Sequence, residues 1–380
     1  LNFTKSIEYF NTVVKFDPDR FEAYFFRGIA KYSLGDFKGA EKDFTSVLMI
    51  NPIHTYAYHY RGISRIKISD YFGAKSDLTK AVELKPTNPD LFVTLGATEV
   101  LLKNYQKGIE NYNKALELNS KLADAYLNRG VAFMAVEEYD KALEDIEKAI
   151  NLKPFNDEAF AKRGLIKYET GNIEGSVDDF NKALDYNPGQ TLYYFYRALS
   201  KYELSDINGS ISDYDRILKT DPANALVYYN RALLKAETGE ENEALRDFNK
   251  AAQLDRDNIL IFYNRGNLKY QMENYQGAIR DYTKAVEVFP RFMAAYTNRS
   301  AAKKQIGDFQ GAMLDKKMSE KIAGEYENDQ GEYKMFADSV YLSKIIRFQS
   351  DFNKGSFGKK FNTKVDIDLL PDFVIACMPK

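Results

Sequence analysis

Arginine and aspartate recur in this 380-residue chain at a spacing that lets them act on one another. Arg27, Arg61, Arg129, Arg163, Arg197, Arg231, Arg265 and Arg299 are each followed sixteen residues later by Asp43, Asp77, Asp145, Asp179, Asp213, Asp247, Asp281 and Asp315. A guanidinium meeting a carboxylate makes a two-pronged ion pair, so Arg27 with Asp43, Arg163 with Asp179, Arg231 with Asp247 and Arg265 with Asp281 read as staples between two elements. The other chemistry open to the arginines is a cation ladder for an acidic ligand, which the matched aspartates would neutralise. One copy of the pattern carries Leu95 and Asn111 instead, losing both charges together. A pair predicts that joint loss, because stranding one buried charge costs about 3–5 kcal/mol where burial is complete.

A second recurring group is amide and aromatic. Asn128, Asn230, Asn264 and Asn298 share one phase, the last three at consecutive intervals of 34 residues. An amide both donates and accepts, so a row of them would pair with the backbone of an extended peptide without reading its sequence. Beside them lies a stripe at helical spacing that includes Phe195, Leu199, Tyr202, Leu226, Tyr229, Leu233, Leu260, Tyr263 and Tyr270. Exposed in a groove, such rings anchor a peptide; packed against neighbouring helices, they are core. The same stripe holds Glu22, Asp90, Asp124 and Glu158 in the N-terminal half, which directs a groove ligand to the C-terminal copies.

Catalytic chemistry finds few supports. His54 and His59 are the two histidines and Cys377 the one cysteine, too few for a structural zinc site or an internal disulfide, and the glycines follow the repeat rather than a phosphate loop. The expectation is a protein that is not an enzyme and needs no cofactor or metal. With 53 Lys+Arg against 55 Asp+Glu the net charge is −2, which disfavours nucleic acid as a partner. No apolar run approaches the roughly 18 residues of a spanning helix, and the first ten residues lack the form of a signal peptide.

These residues are positioned by a repeat. Pro18, Pro52, Pro86, Pro154, Pro188, Pro222 and Pro290 are separated by 34 residues or by 68, with Ser120 and Arg256 in phase in the two gaps. Within each unit the fourth residue is aromatic (Tyr24, Tyr58, Phe92 and onward), the eighth is small (Gly28, Gly62, Gly96), and small then bulky residues follow, as at Ala40 and Phe44. Steps of four are a helical period, so each unit predicts two antiparallel helices with a turn such as Gly35-Asp36 between them and proline ending the second. So short a pair must stack on its neighbours to bury its apolar faces. The predicted domains are 1–20, the second helix of a truncated unit; 21–322, nine tandem units; and 323–380, a non-repeating extension. Lys316, Lys317 and Lys321 predict a wettable outer face on the last unit. In the extension, 335–348 predicts a helix and 365–378 two short strands, which would pair with a partner's sheet edge, fold back, or continue into a further domain.

This pattern of aromatic, glycine, alanine, aromatic, alanine and proline, as in Ala23 to Gly28 and Ala278 to Ala285, resembles the tetratricopeptide-repeat family over residues 1–322. The resemblance implies an all-α, right-handed superhelical solenoid of about nine and a half units whose first helices line a concave, protein-binding face. It further implies a noncatalytic scaffold for a protein or extended peptide in a bacterial envelope assembly, placed in the periplasm. The alternative it allows is the substrate-targeting arm of an enzyme. A lysine-and-asparagine clamp for a peptide carboxylate, known in some members, is disfavoured because the fifth position carries no lysine.

Overall fold

The computed structural model describes residues 2–327, and among them every regular element is an α-helix. The predicted helix at 335–348 and strands within 365–378 lie outside the described residues. The chain divides into two compact units between Tyr186 and Asn187. The first holds α1 (Phe3–Phe16) and five hairpins: α2 (Phe21–Ser33) with α3 (Phe37–Ile50), α4 (Thr55–Lys67) with α5 (Tyr71–Leu84), α6 (Pro89–Leu101) with α7 (Tyr105–Leu118), α8 (Ala123–Ala135) with α9 (Tyr139–Leu152), and α10 (Asp157–Glu169) with α11 (Ile173–Tyr186). The second holds α12 (Thr191–Glu203) with α13 (Ile207–Thr220), α14 (Ala225–Glu237) with α15 (Glu241–Leu254), α16 (Ile259–Gln271) with α17 (Tyr275–Val288), and α18 (Met293–Gln305) with α19 (Phe309–Glu327).

Helix lengths follow from their stop signals. The second helices run 14 residues and halt two residues before the repeat's proline or its in-phase substitute, as Ile50 does before Pro52. In the last unit that phase is Gly324, and α19 continues for 19 residues. Its lysines are exposed and form Lys316–Glu320 and Lys321–Glu325 pairs, but Phe309, Met313, Leu314 and Met318 are exposed as well. The outer face of this helix is therefore mixed rather than simply polar.

Each hairpin turns through one left-handed residue at the fifteenth position. Gly35, Gly171, Gly239 and Gly307 take it at φ of 79 to 83°, and Ser69, Lys103, Glu137, Ser205 and Glu273 take it at 60 to 64°. A side chain there crowds the following carbonyl, a penalty glycine escapes. Converting any one of the five to glycine is expected to stabilise its hairpin by about 0.5–1 kcal/mol net of glycine's greater unfolded-state entropy. A thermal midpoint that falls would contradict this.

The core explains the small eighth residue. A Cβ on Gly28, Gly62, Gly96 or Gly130 would lie 2.8 Å from Phe44, Leu78, Tyr112 or Ile146 of the partner helix. Those side chains are fully or almost fully buried, so the two helices close only because nothing projects from the facing position.

Candidate functional site

Every one of the eight arginines grips its aspartate with two parallel bonds. Nε donates to Oδ2 at 2.6–2.9 Å and Nη2 donates to Oδ1 at 2.6–2.7 Å. Each guanidinium also lies 5.2–5.6 Å from the ring at the fourth position of its own unit, from Arg27 over Tyr24 to Arg299 over Tyr296. This accounts for eight of the nine aromatics there, whose ring faces receive the arginine, and Phe92, in the unit with Leu95, has Lys114 over it at 5.8 Å instead. The remaining nitrogen often reaches back one unit, as Arg27 to Asn11, Arg231 to Asp215 and Arg265 to Asn249. With carboxylate, ring and neighbour engaged, the arginines act as staples and leave no ladder for an acidic ligand.

The staple has a third member absent from the sequence reading. Seven of the eight aspartates also bind a cation at the eleventh position, for example Lys31 on Asp43, Lys167 on Asp179 and Lys269 on Asp281 at 2.7–2.8 Å. Where the pair is Leu95 and Asn111, that position becomes Glu99, buried and bound to Lys75 of the preceding hairpin and to Asn104. The sign reversal is legible as Glu99 in a column otherwise filled by Lys, Arg or Phe133, and it was a usable signal.

The stripe expected to line an open groove is largely interior, and this corrects the expectation. Phe195, Leu199, Tyr229 and Tyr263 are exposed by only 5, 3, 1 and 2%. The ring at the fifth position tilts against the ring projecting from the partner helix: Phe195 on Tyr214, Tyr229 on Phe248 and Tyr263 on Tyr282, with centroids 5.9–6.0 Å apart. Half-buried members remain. Tyr202 donates to Glu237 at 3.2 Å, Tyr270 packs edge-on to Tyr275, and Leu233 leans on the core of its unit.

The asparagine row is corrected in the same way, because two of its four members turn inward onto tyrosine. Asn264 Nδ2 donates to Tyr229 Oη at 2.8 Å, and Asn298 Nδ2 donates to Tyr263 Oη at 3.0 Å and to Asn267 Oδ1 at 2.9 Å. The link joins the fifth position of one hairpin to the sixth of the next, 35 residues on. His59 and Thr94 repeat it at 2.9 Å. Asn128 and Asn230 follow Val93 and Phe195, which carry no hydroxyl, and neither atom of either buried amide has a hydrogen-bond partner. Buried amides left unpaired are rare and costly, which sets these two apart from the rest of the row.

His59 fixes a pH dependence. Thr94 Oγ1 donates to the Asp90 carbonyl at 2.9 Å, so His59 Nε2 carries the proton it shares with Thr94. Burial pushes the imidazole down from 6.5 to about 4. His54 is also lowered by burial, and its Nδ1 accepts from Ala57 N at 3.0 Å only while unprotonated. For a base depressed on folding, the unfolded chain takes up the proton first. Stability is complete above pH 6.5 and declines as pH falls toward 4, by about 3 kcal/mol for His59. His59→Gln is expected to flatten that decline in denaturant titrations between pH 7 and 4, and an unchanged slope would contradict it.

Among the described residues no group of three or more His, Cys, Asp or Glu is placed to hold a metal ion, and no helix is long and apolar enough to cross a membrane. Models described as tetratricopeptide repeat match residues 21–54, 123–156, 157–190, 195–259 and 259–292, and one described as TPR repeat matches 98–136, together more than half of the chain. Comparison with curated proteins gives no match. Among solved structures the chain is similar to MamA, at 30% identity over 42% of this chain and 94% of that one with a TM-score of 0.39. It is also similar to YrrB, described as a TPR protein with an unusual peptide-binding site, at 22% identity, 48% and 95% coverage and 0.40. A tetratricopeptide repeat protein from Parabacteroides merdae aligns at 21% identity, 68% and 98% coverage and 0.48.

Proposed function

The chain belongs to the tetratricopeptide repeat family, and from that premise we propose that it is a noncatalytic scaffold holding an extended protein segment on the first-helix faces of residues 187–327. The observation that carries this reading is the partly exposed strip left on these faces: Tyr202 on α12, Leu226 and Leu233 on α14, and Tyr270 on α16 are half-buried, while the rings beside them are interior. Such side chains offer an extended segment apolar contact without unpacking the core. Asn128 and Asn230 are buried and make no part of that surface. By resemblance the scaffold serves a bacterial envelope assembly in the periplasm; recovery in the cytoplasmic fraction of its cell would overturn that placement.

Tyr202→Ala with Leu226→Ala separates binding from folding. Both side chains are half-buried, so the unfolding midpoint is expected to fall by less than it does when a fully buried ring such as Tyr229 is removed. Partner recovered by affinity capture from the native cell is expected to drop. Asn264→Ala, which breaks the buried bond to Tyr229, is expected to cost about 1 kcal/mol and to leave capture unchanged. Undiminished capture by the double variant would sink the reading.

A further inference from the structure

The second helices carry a charge pattern that the staples do not use. In the second unit, α13, α15 and α17 present Arg216 and Lys219, Arg246 and Lys250, and Arg280 and Lys284, five of the six exposed and Lys284 half-buried. Within each helix the two cations stand three or four residues apart and so share one face. Among the described residues only Arg246 of these six forms an ion pair, with Glu243. The nearby Asp215 is taken by Arg231, which leaves Glu241 and Glu287 as the exposed acids of these helices that form no ion pair among the described residues. In the first unit the phase of Arg246 and Arg280 carries the opposite sign, Glu144 and Asp178, while the phase of Lys250 and Lys284 keeps lysines, Lys148 and Lys182. On α9 and α11, Glu144, Glu147, Asp178 and Asp185 are exposed, with Asp140 and Glu174 beside them. Of the lysines on these two helices, Lys141 and Lys148 are paired with Glu138 and Glu144, and Lys182 is exposed among the carboxylates, which outnumber the lysines.

We propose that the cationic second-helix face of residues 187–327 docks on the acidic α9–α11 face of a second copy of this chain. Both rows are generated by one 34-residue repeat, so their helix-to-helix pitch is the same, and Arg246 and Arg280 on successive helices match the spacing of Glu144 and Asp178 on successive helices. An unrelated acidic surface has no such matched pitch. Asn242, Asn249 and Gln276 lie among the cations, and Leu254 is the single exposed large apolar side chain on these three helices, too little apolar surface to enter a bilayer. Exposed pairs are individually weak, so the association is salt-sensitive and reversible.

Sedimentation of the whole chain tests it. Mass above that of one chain is expected at about 0.01 M ionic strength, where charges act over about 30 Å, and one-chain mass at about 1 M, where they act over about 3 Å. Arg246→Glu with Arg280→Glu is expected to weaken self-association at least about tenfold, as is Glu144→Lys with Asp178→Lys, with helical content intact in both. Mixing the two variants restores association, because each carries the sign that the other has lost. A wild type that stays single at low salt, a mixture that fails to associate, or a wild type that remains single yet binds phosphatidylglycerol vesicles would overturn the proposal.

Discussion

Asp179→Ala is expected to destabilise its hairpin by about 2–4 kcal/mol, more than Arg163→Leu does. The asymmetry follows from the three-membered staple. Removing the aspartate strands both Arg163 and Lys167, whereas removing the arginine leaves Asp179 bound to Lys167 at 2.8 Å. The cations keep 20 and 22% of their side-chain exposure, so water blunts the penalty below the roughly 3–5 kcal/mol of a fully buried pair. Arg163→Leu with Asp179→Asn, the combination this chain already uses at Leu95 and Asn111, is expected to recover part of the loss of either change alone. Denaturant midpoints that rank Arg163→Leu as the worse single change would refute the staple's third member. Repeat arrays unfold in steps, so the transition to follow is that of the hairpin concerned.

Tyr229→Ala and Tyr263→Ala are each expected to cost about 3–5 kcal/mol, the range for deleting a buried ring. Were these rings groove anchors, the double change would reduce partner capture and leave the melting temperature nearly unchanged. Their burial against Phe248, Tyr282 and Phe292 predicts a large drop in melting temperature instead. Tyr229→Phe isolates the hydroxyl, which accepts from Asn264, and is expected to cost about 1 kcal/mol. A double alanine variant that melts like the wild type would show the rings to be solvent-facing.

By itself the sequence determined the hairpins, their lengths and their pairing. A 34-residue period with proline after the second helix and glycine before the bulky core residue leaves the backbone one arrangement, because each of those constraints acts within a single hairpin. The arginine–aspartate couples were legible for the same reason: both charges vanish together at Leu95 and Asn111, and partners sixteen residues apart sit across one turn. Tertiary structure decided the rest. A stripe of Phe195, Tyr229 and Tyr263 at helical spacing looks the same whether it faces solvent or a neighbour's ring. Only the closeness of the two helices within each hairpin, set by the small residues that face one another between them, drove those rings inward. The asparagines divided likewise, since Asn264 and Asn298 are satisfied by a hydroxyl 35 residues earlier while Asn128 and Asn230 follow Val93 and Phe195, which have none. That distinction depends on contacts between units, which no single repeat contains.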